Sequence, residues 1–486
     1  MSTSKLLVFC FLLLAGISSL QAQDQKTTWS LQECVDYAFA NSINVKRSQL
    51  QFDADRAILF QSKAAFLPTV NAGASYSFNS GRSLDPTNQE FITRNQQTSN
   101  VSLNGSLILF QGGQRMKSVK QSQSAAEASQ YAVEQSRYTV GLNVALFYLQ
   151  VISNQELLEI ARNQVSQSEL QVQRTQKLVE AGSLPQTNLL DLQAQLAIDK
   201  ASLVTAQNNL NLGKLNLMQA MNLPAQNEFE VELVQVQDPA LSPYQSTAAA
   251  VYAIAEKTLP SVKSADLTVQ SNTYGVQLAK GALYPSLSAV AGLNTNYSDQ
   301  SRLLDDTNPG GGPGPSGEIL GYVRGNNEAP VFKDAIQTTQ PATREYPYFR
   351  QLGDNLSNFV GLRLNIPIIN GWQTRTQISR SVVQKKLSEL DALNTRIVLR
   401  QDIEQAYNNM LAAAASYASF KEQVASLELA FRATESRFNV GLLNSVDYNL
   451  AKVNLDRARA NLVNTKYDYI FRTKILDFYQ NKPLSF

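Results

Sequence analysis

The chain of 486 residues contains no histidine, which removes the commonest general base and the commonest metal ligand together. It has two cysteines, Cys10 and Cys34, and Cys10 lies in a leader expected to be removed, so the mature chain has no internal disulfide. No CxxC pair occurs, and no glycine-rich phosphate loop sits between a strand and a helix. The sequence therefore offers no cofactor or metal motif. Charge is sparse, at 17% of residues, and nearly balanced at +2, falling to +1 once Lys5 is lost. That balance argues against nucleic acid or an acidic membrane surface as partner. Beyond the N-terminus no apolar run reaches the roughly 18 residues of a membrane helix. Only carboxylate chemistry is left to a secreted enzyme, and no converging acid or nucleophile set points to one.

What is present begins with a leader. Residues 1–22 read as a secretory signal peptide: Lys5 is basic, Leu6 to Ile17 apolar, and Ser18 to Ala22 a polar exit ending in a small residue. The apolar stretch is too short for a membrane anchor.

The mature chain is written twice. Val179-Glu180-Ala181-Gly182-Ser183-Leu184 aligns with Phe438-Asn439-Val440-Gly441-Leu442-Leu443, 259 residues on, and Gln111-Gly112 falls on Asn370-Gly371 at the same offset. A seven-residue apolar column precedes each glycine turn. In the first copy it is Val144, Val151, Leu158, Val165, Val172 and Val179; in the second, Ile403, Met410, Tyr417, Val424, Phe431 and Phe438. Upstream, Ala38, Val45, Lys46 and Pro68 match Ala255, Val262, Lys263 and Pro285 at an offset of 217. The second copy therefore carries a 42-residue insertion between Pro285 and Asn370. Asn308 to Pro315, a glycine and proline run, lies there and reads as neither helix nor ladder strand. Repetition at this scale makes the repeat the unit of the fold.

Within each copy the hydrophobic period changes from helix to strand and back. Leu31 to Phe66 reads as a helix ended by Pro68. Val70, Ala72, Ala74, Tyr76 and Phe78 then alternate with polar or small residues, as do Val101, Leu103, Leu107 and, less regularly past Ile108, Leu109; Leu287 to Leu293 and Val360 to Ile368 repeat the pattern. Four stretches of about ten residues with one apolar and one polar face suit an outer-membrane barrel, and a half-buried soluble sheet is the alternative. Helix resumes from Gln114 to Ala181 and from Gln373 to Val440, each roughly 100 Å long. The heptad column predicts left-handed coiled-coil packing. Gly182 and Gly441 turn the chain into return helices from Gln186 to Met221 and Ser445 to Gln480.

This gives a first repeat over 23–224, a connector over 225–246, a second repeat over 247–482 with a loop insertion at about 295–359, and a tail at 483–486. The fold class is mainly α with a membrane β-barrel portion.

Phe66-Leu67-Pro68 and Leu283-Tyr284-Pro285 before the strands, and the tip Arg437-Phe438-Asn439-Val440-Gly441-Leu442 followed by Asp447, resemble the TolC-type outer-membrane efflux proteins. The likeness covers nearly the whole mature chain. It implies a homotrimer in which four strands per chain close a twelve-stranded barrel in outer-membrane lipid, above an α-helical periplasmic tunnel. It also implies a passive exit channel of a tripartite efflux or type I secretion system, with a periplasmic adaptor (membrane fusion protein) and an inner-membrane pump as partners.

In that family the tunnel closes at its periplasmic tips around rings of aspartates. By position Asp447 would be the first ring and Phe438 a gating aromatic. Leu450 stands at the second ring, Leu443 where the latching arginine belongs, and Asn188 at the first-copy aspartate. Asp447 equally reads as a cap of the return helix, where the dipole favours negative charge. Gly182, Ser183 and Leu184, with Arg437, Val440, Gly441 and Leu442, would form the adaptor-contact tips; the glycines also read simply as helix stops. A periplasmic coiled-coil scaffold or adaptor without a barrel is the competing function.

Overall fold

The computed structural model describes residues 28–84, 91–225, 229–232, 244, 246–304, 314–323, 330–335 and 343–482. The expected leader and tail and most of the expected connector lie outside them. In chain order the first repeat holds β1 (Thr28–Trp29), α1 (Leu31–Asn41), α2 (Ile43–Ala64), β2 (Thr69–Leu84), β3 (Phe91–Gln111), α3 (Gln114–Glu180), α4 (Gln186–Ala220) and β4 (Glu230–Val231). The second holds α5 (Ala248–Thr258), α6 (Pro260–Gly281), β5 (Ser286–Ser298), β6 (Arg302–Leu304), β7 (Gly314–Tyr322), β8 (Pro330–Ala335), β9 (Thr343–Glu345), α7 (Tyr348–Asp354), β10 (Ser357–Asn365), α8 (Gln373–Asn439) and α9 (Ser445–Tyr479). The long helices, α3 and α8, have 67 residues each, and the return helices, α4 and α9, have 35 each. The paired helices of the two copies thus match in length to the residue.

The chain divides into two units. The helical unit takes Met1–Leu59, Lys120–Tyr274 and Ser381–Phe486. The heptad column is its core: Val144, Val151, Leu158 and Val165 are buried, as are Ile403, Met410, Tyr417, Val424 and Phe438. Val172, Val179 and Phe431, the remaining members of the two columns, are half-buried. The N-terminal strand was not foreseen. β1 pairs in parallel with β4, Trp29 sits edge-on to Tyr37 at 5.3 Å, and the buried Tyr148 hydroxyl donates to the Glu232 carbonyl at 2.9 Å. Cys34 is buried nearby, and desolvation pushes its thiol up to about 12.

The expected single helix from Leu31 to Phe66 is two. Ser42 leaves the helical region at φ −60°, ψ 124°, and its Oγ accepts from the Val45 amide. At the equivalent position in the second copy Leu259 turns the same way, at φ −67°, ψ 132°, before Pro260. Proline disfavours helical geometry in the residue before it and suits the first position of a helix. The break is therefore duplicated, with a serine in one copy and an X-Pro step in the other.

The sheet unit takes Phe60–Val119 and Gly275–Arg380. Its four main strands run antiparallel in the order β10-β5-β3-β2. Register puts Val70, Ala72, Ala74 and Tyr76 with Val101, Leu103, Leu293, Val360, Leu362 and Leu364 on one face. Asn71, Ser102, Asn104, Gly292, Asn294, Gly361 and Arg363 share the other. The expected amphipathic strands are present, with different lengths: β2 and β3 run to 16 and 21 residues, and β10 stops at Asn365 before Pro367, excluding Ile366 and Ile368. Gly112, at φ +55°, permits a close crossing that a side chain would block, since a Cβ there would lie 2.2 Å from the Gly281 carbonyl oxygen.

The insertion has more order than its composition suggests. Gly314 and Pro315, assigned above to a non-strand run, open β7 and pair with Ala335 and Asp334 of β8. Proline is tolerated at the start of a strand, where no ladder donor is needed. Helix α7 is fixed to the apolar face of the sheet, with the Thr295 hydroxyl donating to the Leu352 carbonyl at 2.6 Å and Tyr348 packed on Tyr297 at 4.7 Å.

Candidate functional site: the hairpin tips

Both tips lie in the helical unit and are built alike. At the first, Ser183 N–H reaches the Leu178 carbonyl at 2.8 Å and Gly182 N–H the Val179 carbonyl at 2.9 Å. At the second, Leu442 and Gly441 bond Arg437 and Phe438 at 2.9 and 3.0 Å. This is the paired closure of a helix through a left-handed residue, and Gly182 and Gly441 have φ +73° and +78°. The glycines are helix stops. Around them Ser183, Arg437, Val440 and Leu442 are exposed, and Leu184 is half-buried.

The return helices start differently. Pro185 precedes α4 without a side-chain cap, whereas Asn444 caps α9, its carbonyl oxygen accepting from the Asp447 amide at 2.8 Å. The cap is therefore Asn444, not Asp447. Asp447 sits in the first turn with an exposed carboxylate beside the helix dipole. Leu450 is 61% exposed one turn on, and Asn188 is half-buried. Phe438 and Leu443 turn inward within the chain. Phe438 is buried and stacks on Tyr448 at 4.7 Å, with Leu192, Val172, Phe431 and Leu443 around the pair. Burial, with the charges of Glu435, Asp456 and Asp199, pushes the Tyr448 phenol up to about 12.

Polar links then join the two hairpins. Arg174 donates to the Asn439 side-chain oxygen at 2.6 Å, and the Ser445 hydroxyl to Asp191 at 2.8 Å. Further along, Lys452 of α9, 3% exposed, reaches Asp199 of α4 at 2.9 Å and Asp456 at 3.0 Å. Asp199 also accepts from Ser168 and Gln195. Desolvation raises the Asp456 carboxyl above its ordinary range, against the pull of Lys452. Sequence reading missed this cluster. Its signal was available: Tyr448, Lys452 and Leu455 form one helical stripe, and a lysine on a buried stripe needs a partner.

Among the described residues no group of three or more histidine, cysteine, aspartate or glutamate side chains is placed to hold a metal ion, and no helix is long and apolar enough to cross a membrane.

Two copies of a long helical hairpin, with an amphipathic four-stranded sheet, define the architecture of an outer-membrane duct. The family model for outer membrane efflux proteins matches residues 35–223 and 251–472, nearly all of both repeats. The chain belongs to the outer membrane efflux protein family, a family of transport channels, and its place is the outer membrane. It is similar to the outer membrane protein TolC of Vibrio cholerae serotype O1, 25% identical over 444 residues, 91% of this chain and 88% of that one. TolC of Escherichia coli is 21% identical over 461 residues, covering 94% and 82%. The Campylobacter jejuni CmeC outer membrane channel has the same fold, with a TM-score of 0.67 at 17% identity over 93% of this chain and 85% of that one. Membership decides between the two functions left open by the sequence, in favour of a channel over a scaffold without a barrel.

Proposed function

We propose that three copies of this chain form one passive exit duct, gated at its periplasmic tips and docked there by a periplasmic adaptor that couples it to an inner-membrane pump. The observation that carries this reading is the sheet's pair of open edges. β2 and β10 each lie at an end of the order β10-β5-β3-β2. Open edges leave backbone donors and acceptors unpaired, which lipid does not tolerate. Joining β2 of one copy to β10 of the next, three times, closes twelve strands with no edge left. The same head-to-tail rotation brings three pairs of hairpins around one axis.

At the tips, the exposed Asp447 and Leu450 are the side chains free to meet their counterparts across that axis. Phe438 and Leu443 support them from within the hairpin, and Asn188 faces them from the first copy. The exposed turns around Gly182 and Gly441 suit an adaptor's helical hairpin packing by the same heptad geometry. Transport is diffusion down the open duct, and no residue performs chemistry. Mass measurement of the detergent-purified protein should give three chains per particle; a stable monomer that still conducts would overturn the reading.

A further inference from the structure

The four main strands of the sheet unit carry three charged residues, Arg82 and Arg94 at the far ends of β2 and β3, and Arg363 in β10. Across 69–79, 95–111, 286–298 and 357–365 the sole charged residue is Arg363. Register settles which face it takes. Arg363 pairs with Ser288 and alternates with Leu362 and Leu364, so it shares the polar face with Gly361, Asn104 and Asn294. It is exposed, and its guanidinium has no hydrogen-bond or ion-pair partner among the described residues. An ionisable side chain within a membrane span is costly unless it faces water, and in a barrel the polar face lines the lumen.

We propose that Arg363 forms a ring of three guanidinium groups in the barrel lumen, which gives this section of the duct a preference for anions. The proposal rests on the trimeric reading above. Twelve strands about 4.8 Å apart and tilted about 40° place the backbone on a circle of about 12 Å radius. Even with the charges no nearer the axis than the backbone, three of them enrich a monovalent anion over a cation by about twofold at 0.15 M salt. At 0.01 M, where the Debye length is about 30 Å, the factor is about tenfold. Both figures are lower bounds, since the side chains reach inward. No opposing charge on these strands cancels them.

A cysteine probe reads this potential locally, independent of any constriction at the tips. Gly361 is two residues from Arg363 on the same face, and a Cβ there finds its nearest neighbour, a Val290 methyl, at 3.9 Å. Cys34 is buried and stays silent. Gly361→Cys would be reacted with a sulfonate-bearing and a trimethylammonium-bearing methanethiosulfonate, with and without Arg363→Gln, alongside Leu362→Cys on the opposite face. The ratio of anionic to cationic rates should fall about tenfold in the Arg363→Gln background at 0.01 M salt. It should fall less at 0.15 M, and Arg363→Lys should preserve it. Reaction at Gly361→Cys with an unchanged ratio at low salt would overturn the proposal while leaving the duct intact. A Gly361→Cys that water-soluble reagents cannot reach, with a reactive Leu362→Cys, would instead overturn the lumen assignment and the trimeric reading beneath it.

Discussion

Replacing Lys452 by Met should loosen the join between the two hairpins more than any other single change near the tips. The lysine is 3% exposed and held by two carboxylates at 2.9 and 3.0 Å, with Asp199 itself 7% exposed. Without it, Asp199 keeps only the neutral donors Ser168 and Gln195, and Asp456 loses its principal counter-charge, in a desolvated setting. Breaking a buried pair by removing one partner costs about 3–5 kcal/mol. If α4 and α9 separate locally, that energy appears as opening, and at about 1.4 kcal/mol per tenfold the change is at least about a hundredfold.

Native-state hydrogen exchange on the detergent-solubilised protein reads it directly, at the amides of 448–460 and 192–203. Exchange there should accelerate by two orders of magnitude or more, with little change at Val144 or Ile403. Protection within threefold of wild type would refute the argument and show that apolar packing alone holds the helices. A companion variant guards against trivial misfolding. Lys452→Met combined with Asp199→Leu and Asp456→Leu removes the charge imbalance and should recover most of the protection, because apolar replacements of a buried ionic group are often neutral or better.

Three further outcomes follow from the same geometry. Gly441→Ala places a side chain at φ +78° and should cost about 1–2 kcal/mol, seen as lower thermal stability of the tip in exchange or limited proteolysis; an unchanged tip would mean that the turn relaxes. The raised Asp456 carboxyl favours its protonated form in the folded state. Its contribution is therefore fully present below the ordinary carboxylate range and lost as pH rises through its raised native value. Asp456→Asn should flatten the pH dependence of tip protection across that window, and parallel profiles would remove Asp456 from the account. In reconstituted channels Asp447→Asn should weaken block by divalent cations, whereas Leu443→Ser with Leu450→Ser should raise resting conductance; unchanged block would return Asp447 to a helix-dipole role alone.

The sequence was legible where one physical rule acted over many residues. The heptad column from Val144 to Val165 and its copy from Ile403 to Phe438 mark most of the buried face of the long helices. The alternation around Val70 and Val101 set the strands. Single-residue decisions were less legible. Ser42 breaks a helix through its own side chain, without a proline to announce it. β1 and β4 are two residues each, and the distant Tyr148 hydroxyl donates to both segments, to the Trp29 carbonyl at 3.4 Å and the Glu232 carbonyl at 2.9 Å. At the tips Asp447 competes with Asn444 for the cap, and only geometry separates them. The Lys452 cluster needed a partner 253 residues away, which no local pattern supplies.

The duplication itself gives a rule for finding specialised residues. Two copies with identical helix lengths impose the same packing on equivalent positions, so chemical differences between equivalents mark where the copies diverge in task. Lys452 and Asp456 correspond to Gln193 and Ala197, Asp199 to Ala458, Asn444 to Pro185, and Asp447 to Asn188. Each charged or capping group in this set occurs in one copy only, and Lys452 bridges the copies to Asp199 while also holding Asp456 of its own helix. A structural need shared by both hairpins would have kept its residue in both. The asymmetry therefore assigns the ionic groups to the join between hairpins and to the tip of the second. Gly182 and Gly441, retained in both copies, serve the turn that each hairpin needs alone.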